Sequence, residues 1–186
     1  MKFLTPTLLA TLPLIHATHS FVHTRRQTAP TTTPWSLSEL KIRVPNHREG
    51  TYPWSTFTAS ITDPNTYNLN NSVTVSPSTG VNCFAKFLDL SSADEGPWGR
   101  SWACEDDGKG EGHWEMRISK TDSGYRVVFT HVAANFDKAA LRGWSRKFEG
   151  AVDLVVGSNL KVSCAGEGTC GYWLARTPVE VVGREV

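Results

Sequence analysis

Residues 125–133 read Tyr-Arg-Val-Val-Phe-Thr-His-Val-Ala, and they give the clearest strand signal in the chain. Successive side chains of a strand point to opposite faces, so Tyr125, Phe129 and His131 share one face with Val127. A helix would repeat every 3.6 residues, whereas this stretch repeats every two. The stretch therefore predicts a β-strand with one largely apolar face.

Segments with the same period lie on both sides of residues 125–133. Trp114, Met116 and Ile118 alternate with polar residues upstream, and residues 35–44 alternate twice with a change of phase near Glu39 and Leu40. Further segments of this kind are 57–61, 73–75, 81–90, 100–104, 148–156, 160–164 and 172–182. Roughly ten short strands at this spacing are typical of an all-β sandwich or barrel. We predict a single-domain antiparallel β-barrel or sandwich over residues 35–186, with at most one helical turn in residues 135–143.

Length and charge exclude several classes of protein. The chain has 186 residues, which allows one domain with a tail. Charged residues make up 20%, too few for a coiled coil or a charge-rich disordered chain. Lysine and arginine total 19 against 18 acidic residues, so net charge gives no reason to expect a nucleic-acid partner.

The first 34 residues predict a signal peptide and a linker rather than part of the folded domain. Residues 1–20 combine a basic start, a short apolar stretch and small residues, as in a secretory signal peptide. The apolar stretch is too short to span a bilayer, and no other segment predicts a membrane span. Residues 21–34 are polar and rich in Thr and Pro, and Arg25-Arg26 is either a dibasic cleavage site or part of an unprocessed linker. We expect a secreted, extracellular protein.

Secretion changes how the four cysteines are interpreted. An even number of cysteines in an oxidising compartment favours disulfides, and three pairings are possible. The simplest joins neighbours along the chain, Cys83 with Cys104 and Cys164 with Cys170. The spacing lacks the two close pairs of a zinc site, so we predict no metal. Asn70-Asn71-Ser72 is a glycosylation sequon, which makes Asn70 the candidate acceptor.

Residue types that carry catalysis are present but not grouped. The acidic stretch 105–112 has consecutive rather than alternating acids, so it is a solvated hairpin tip rather than a calcium loop. Ser101 lacks the Gly-x-Ser-x-Gly context of a hydrolase nucleophile, and His131 is expected to be a hydrogen-bonded core or rim residue. Nothing pairs the strand carboxylates Asp89, Glu115 and Asp153 into the facing couple that a glycosidase needs. We predict no catalytic residue and no cofactor.

Tryptophans give the best candidates for a binding surface. Arg142-Gly-Trp144-Ser-Arg146-Lys places an aromatic ring among cations in a predicted loop. Arg142, Trp144 and Arg146 are therefore the candidate partner-binding residues, the alternative being a tryptophan folded back on the domain. Trp98 is a weaker candidate of the same kind. Four other tryptophans are in predicted strands and are expected in the core: Trp35, Trp102, Trp114 and Trp173.

The order of these features resembles the fungal secreted proteins typified by the major allergen of Alternaria. The resemblance covers about residues 35–182 and lies in the order of strands and cysteines rather than in a sharp motif. Its parts are Trp35-Ser-Leu-Ser-Glu-Leu40, Gly50-Thr51-Tyr52, the strand Phe57 to Ile61 with Asp63-Pro64-Asn65, Cys83, Trp102-Ala103-Cys104, and the close pair Cys164 and Cys170.

The resemblance implies a fungal β-barrel or sandwich with the neighbour pairing of disulfides. It also implies a non-enzymatic extracellular protein, acting as an effector or elicitor at the host surface or as an allergen. Its partner would be a host extracellular protein or a small phenolic ligand. The type member dimerises through an extra cysteine near the mature N-terminus; no cysteine precedes Cys83 here, which leaves a monomer or a non-covalent dimer. A lipocalin-like carrier and a small secreted glycan hydrolase are the alternatives.

Overall fold

The computed structural model describes residues 32–70, 73–88, 98–105, 107–108, 112–137 and 141–186. These ranges contain strands and no helix, which confirms the predicted all-β class. The first seven strands are β1 (Trp35–Val44), β2 (Trp54–Asp63), β3 (Tyr67–Asn70), β4 (Val73–Val75), β5 (Ser78–Leu88), β6 (Ser101–Ala103) and β7 (Gly112–Thr121). The others are β8 (Gly124–Asp137), β9 (Arg142–Val155), β10 (Leu160–Cys164), β11 (Cys170–Leu174), β12 (Val179–Val181) and β13 (Gly183–Glu185).

The strands form two large antiparallel sheets and one small hairpin. The first sheet has the order β10-β11-β1-β2-β5, with β12 also paired to β1. The second sheet has the order β13-β9-β8-β7-β6, and β3 pairs only with β4. In the first sheet, the register of β1 against β2 shifts between Leu37 and Glu39. This bulge confirms the predicted change of phase, because the buried side chains switch from Trp35 and Leu37 to Leu40 and Ile42.

Apolar side chains from both sheets form one core between them. Phe57 of β2 packs against Tyr125 of β8, with ring centroids 4.9 Å apart, and Trp35 packs against Trp114 at 5.0 Å. Trp35 fits because Gly150 and Gly183 face it, and a Cβ at Gly183 would lie only 2.4 Å from the indole. The architecture is that of a β-sandwich, one of the two predicted forms of the all-β class.

The barrel alternative is wrong for the described residues, because the hydrogen-bonded ladders do not close into a ring. The sheets meet at two corners instead. At one corner the chain passes from β12 in the first sheet directly to β13 in the second. At the other, Val81 of β5 and Glu105, just after β6, exchange backbone hydrogen bonds of 3.0 and 2.8 Å.

Two local predictions fail. Residues 135–137 and 142–143 are extended and Leu141 is a turn residue with a φ of 49°, so the helical turn expected over 135–143 is absent from the part of that stretch that the structure describes. Residues 142–147 were predicted as a loop but form the start of β9, because Arg142 to Lys147 pair with Val132 to Asp137 of β8. Backbone pairing overrides the weak strand preference of this glycine- and cation-rich segment.

Little of the predicted N-terminal organisation falls on the described residues. The signal peptide and the linker up to residue 31 lie outside them. Contacts with the domain begin before the predicted start at residue 35, since Thr33 N–H donates to Asn65 Oδ1 at 2.9 Å and Thr32 Oγ1 donates to the Gly183 carbonyl at 3.2 Å. Residues 31–186 form one compact unit.

Candidate binding surfaces

The three predicted partner-binding residues lie on one face of β9, because alternate residues of a strand share a face. Arg142 is exposed and Trp144 is half-buried. Arg146 is already engaged: its Nε donates to Glu185 Oε1 at 2.7 Å, its Nη2 contacts Glu185 Oε2, and its Nη1 donates to the Asn68 carbonyl at 3.3 Å. The Arg146 hydrogen bond lowers the pKa of Glu185. Arg146 thus ties β9 to β13 and β3, and Arg142 and Trp144 stay the accessible pair.

The end of the β8–β9 hairpin also exposes two large apolar side chains. Phe136 is 58% exposed and Leu141 is 78% exposed. A shallow depression of about 390 Å³ lies beside them, lined in part by Phe136, Gly143 and Trp144. Exposed apolar side chains gathered at one place are typical of a contact surface. We call Phe136, Leu141, Arg142 and Trp144 the hairpin end.

A second surface, which the sequence did not reveal, covers the outer face of the first sheet. One cross-strand row runs Lys161, Trp173, Lys41, Thr58 and Phe84, by direct register across β10, β11, β1, β2 and β5. The next row contains Gly171, Arg43, Thr56 and Lys86. We call the six large side chains of these rows the basic face: Lys41, Arg43, Phe84, Lys86, Lys161 and Trp173.

Trp173 corrects the prediction that the strand tryptophans lie in the core. Trp35 and Trp114 are buried as expected and Trp102 is partly buried, but Trp173 is 41% exposed. Its neighbours Tyr172 and Leu174 turn towards the core, so alternation places the indole outside. Phe84, at the far end of the same row, is 46% exposed.

The cations of the basic face have few acidic partners. Lys41 lies 2.5 Å from Glu39, but no carboxylate of the described residues lies within ion-pair distance of Arg43, Lys86 or Lys161. Arg43 and Lys86 contact aromatic rings instead. The Lys86 ammonium lies 5.0 Å from the centroid of the Trp54 ring, and Lys86 and Arg43 lie 5.4 and 5.3 Å from that of Tyr52. These contacts hold positive charge at the surface without neutralising it.

A groove lies on the basic face beside Trp173. Gly171 has no side chain at an outward position, and a Cβ placed there would find no atom closer than 4.0 Å. The resulting depression has a volume of about 460 Å³, and Lys41, Arg43, Thr169 and Trp173 contribute to its walls. We call it the Trp173 groove.

The outer face of the second sheet is charged but self-neutralised. Arg117 Nη2 lies 2.8 Å from Glu149 Oε1, Lys147 Nζ lies 3.1 Å from the same oxygen, and Arg126 Nη1 lies 2.9 Å from Asp153 Oδ1. The Lys147 contact, followed by the charge of Arg117, lowers the pKa of Glu149. Glu115, which has His113 Nε2 at 3.7 Å, also lies on this face.

Between the sheets, a polar chain joins three residues that are far apart in sequence. His131 Nδ1 lies 2.9 Å from Asp63 Oδ2, and His131 Nε2 lies 3.0 Å from Ser78 Oγ. Ser78 Oγ also accepts a 3.0 Å bond from Trp114 Nε1, and Asp63 accepts a 2.7 Å bond from the Tyr67 hydroxyl. Burial raises the pKa of Tyr67, and the hydrogen bond to Asp63 raises this pKa further.

This chain of contacts has the order of a Ser-His-Asp triad, but all three residues are buried and the His131 ring is stacked on Trp114. Both ring nitrogens of His131 have a hydrogen-bond partner, so these bonds connect β2 and β5 to β8 across the core. His131 was predicted to be a hydrogen-bonded core or rim residue, and the structure places it in the core. Ser101, as expected, is a strand residue in β6.

The cysteines pair as neighbours, Cys83 with Cys104 and Cys164 with Cys170. Of the three pairings open to the sequence, this is the simplest one and the one that the family resemblance implies. The first bridge joins β5 of the first sheet to the residue that follows β6 of the second, and the second joins β10 to β11. Two disulfides are consistent with an extracellular protein.

Other predicted positions receive only a location. Asn70 is exposed at the end of β3, while the rest of its sequon lies outside the described residues, as does Asp89. The described ranges contain no cluster of three His, Cys, Asp or Glu side chains placed to hold a metal ion, and no helix of membrane-spanning length.

Comparison with known proteins identifies no relative: no family model, curated protein or solved structure matches this chain. The resemblance to the Alternaria allergen family therefore stays a prediction.

Proposed function

We propose that this protein is a secreted, non-enzymatic binding protein that acts at a host surface as an effector or elicitor, as its resemblance to the fungal allergen family implies. The observation that carries the proposal is the hairpin end, where Phe136 and Leu141 are exposed beside Arg142 and Trp144. Large apolar side chains next to arginine and tryptophan suit a protein partner, because these residue types dominate protein–protein contacts. The partner would be an extracellular host protein.

The arrangement of the core favours an external surface over an internal ligand site. Phe57, Phe87 and Phe129 are buried, and the ring of Phe57 lies 6.0 Å from that of Phe87. These side chains occupy the space where a lipocalin-like carrier would hold its ligand.

The positions of the carboxylates lend no support to the hydrolase alternative. Asp153 and Glu115 lie on the outer face of the second sheet, and Asp153 forms an ion pair with Arg126. A glycosidase needs two carboxyl groups that face each other across a cleft.

Leaf infiltration with the folded protein tests the proposal. The samples are the wild-type protein, the double variant Phe136→Ser with Leu141→Ser, and Val182→Ser as the matched control, since Val182 is an exposed apolar residue away from the hairpin. A fourth sample is reduced and alkylated. We expect cell death or an oxidative burst with the wild type and the control variant, and at least a tenfold higher threshold concentration for the double variant.

Each other outcome counts against the proposal. No response to any sample across several hosts would contradict an effector or elicitor function. A response to the reduced sample would mean that a linear peptide is recognised, and an undiminished response to the double variant would remove the hairpin end from the function.

A further inference from the structure

We infer that the outer face of the first sheet binds an acidic polysaccharide, with the Trp173 groove as the centre of the site. This site is on the other sheet from the hairpin end, so the inference does not depend on the proposed function. Three observations carry it: an exposed indole between two lysines, a groove beside that indole, and an excess of positive charge that the fold leaves without acidic partners.

The indole of Trp173 provides a flat apolar surface. Sugar rings expose C–H groups on their faces, and an exposed aromatic ring binds such a face through apolar contact and weak C–H interactions. Lys161 and Lys41 are the register partners of Trp173 on either side, so neighbouring-strand spacing places each about 5 Å away along the row. A sugar on this indole would have an ammonium group on both sides, which matches a sugar that carries a carboxylate.

The groove supplies the position for an adjoining sugar. Gly171 opens the surface between Trp173 and Arg43, and Lys41 lies along the same wall. Arginine binds carboxylates through two parallel hydrogen bonds, and the Nη1 of Arg43 makes only a long 3.5 Å contact with the Trp54 carbonyl. Arg43 is therefore placed to receive a carboxylate at the side of the groove.

The length of the surface suits a polymer better than a small ligand. From Trp173 to Phe84 the row crosses three strand intervals, about 14 Å at the usual spacing. Lys86 and its aromatic neighbours extend the surface by a further row. Of the four cations on this face, only Lys41 forms an ion pair with a carboxylate of the described residues, that of Glu39.

Single-stranded nucleic acid would also use rings and cations, but the molecule favours a glycan. Its two disulfides are consistent with an extracellular location, where acidic polysaccharides are the abundant polyanions of cell walls and matrices. The whole chain carries a net charge of only +1, unlike most domains that bind nucleic acid.

Calorimetric titration with a galacturonic acid oligomer tests the inference. The matched ligands are the same oligomer with its carboxylates methyl-esterified, and a single-stranded DNA oligonucleotide of equal charge. We expect the acidic oligomer to bind at least tenfold more tightly than either. Gly171→Val should weaken binding at least tenfold, because it fills the groove with a side chain that a strand accommodates.

Gly166→Val is the matched control, because it adds the same side chain where no atom lies within 4 Å. It should bind as the wild type does, and so should Phe136→Ser with Leu141→Ser. Thermal unfolding of every variant establishes that it is folded. Trp173→Phe is a second test of the site: because this variant keeps an aromatic ring, we expect it to bind the acidic oligomer more weakly than the wild type but not to lose binding.

Four results would overturn the inference. They are no binding by the wild-type protein, equal binding of the esterified oligomer, equal or tighter binding of DNA, and unchanged binding by folded Gly171→Val.

Discussion

The outer faces of the two sheets carry similar numbers of charges but arrange them in opposite ways. On the second sheet, Arg117, Arg126 and Lys147 each contact a carboxylate of the same outer face. On the first sheet, Lys161 and Lys86 have no acidic partner among the described residues, and rings lie between the cations. The charges of the second face are neutralised within the fold, whereas the cations of the first face, apart from Lys41, have no acidic partner among the described residues.

The pairing of charges, rather than their number, distinguishes the two outer faces. The chain holds 19 basic and 18 acidic residues, so its total charge conceals the difference. Exposed ion pairs contribute little stability, typically ~0.2–1 kcal/mol each, but they keep a surface from attracting other ions. An unpaired cation beside an exposed ring has the opposite effect.

The largest effect is expected from removing the covalent link between the two sheets. Cys83→Ser with Cys104→Ser removes a bridge with a sequence separation of 21 residues, and the free energy of unfolding should fall by about 3 kcal/mol. The shorter Cys164–Cys170 bridge should contribute about 2 kcal/mol by the same argument. Urea unfolding of both double variants measures the two values. A smaller loss from removing the Cys83–Cys104 bridge than from removing the Cys164–Cys170 bridge would contradict the expectation that the bridge between the sheets is the more stabilising of the two.

A smaller effect is expected from removing two positive charges from one outer face or from the other. Lys41→Gln with Lys161→Gln should weaken binding of the galacturonic acid oligomer at least tenfold, about 1.4 kcal/mol. Arg126→Gln with Lys147→Gln removes two charges from the second sheet and should change binding less than twofold. Calorimetry at constant salt gives both numbers. Equal losses would mean that net charge, rather than the basic face, governs binding.

The smallest expected effect is the contribution of Glu149, on the outer face of the second sheet, to the pH dependence of stability. Lys147, and then Arg117, hold the pKa of Glu149 below its ordinary value. A carboxyl with a depressed folded-state pKa stabilises the protein above its unfolded-state pKa of about 4.3, and this stability is lost as pH falls through the folded-state value. The melting temperature of Glu149→Gln should therefore fall less than that of the wild type between about pH 5 and pH 3. Parallel curves would show that the ion pairs of this face do not stabilise the fold.

Sequence patterns were sufficient where alternation is clean. The pattern of residues 125–133 predicts the buried face of β8, and the phase change near Glu39 and Leu40 predicts the bulge in β1. A core or rim position is predicted for His131, which lies in the core. Cysteine order made the observed pairing the simplest of the three. Each of these rests on a local period or a count.

The basic face could not be predicted, because it depends on long-range register. Tyr172, Trp173 and Leu174 are all apolar, so alternation does not say which ring faces out. The row from Lys161 to Phe84 joins five strands that are scattered along the chain. The loop prediction for Arg142 to Lys147 was wrong for another reason. Glycine and cations favour a loop, but pairing with β8 makes the segment a strand. Likewise, nothing local brings Asp63 and Ser78 to His131.

Mapping the bound oligomer by NMR distinguishes binding at the outer face of the first sheet from binding at that of the second. The measurement is the change in backbone amide shifts of isotope-labelled protein as the galacturonic acid oligomer is added. We predict shift changes concentrated at Lys41, Arg43, Lys161, Gly171 and Trp173, with the shifts of Arg117, Arg126 and Glu149 unchanged. Changes centred on the second sheet, or none at saturating oligomer, would contradict this prediction.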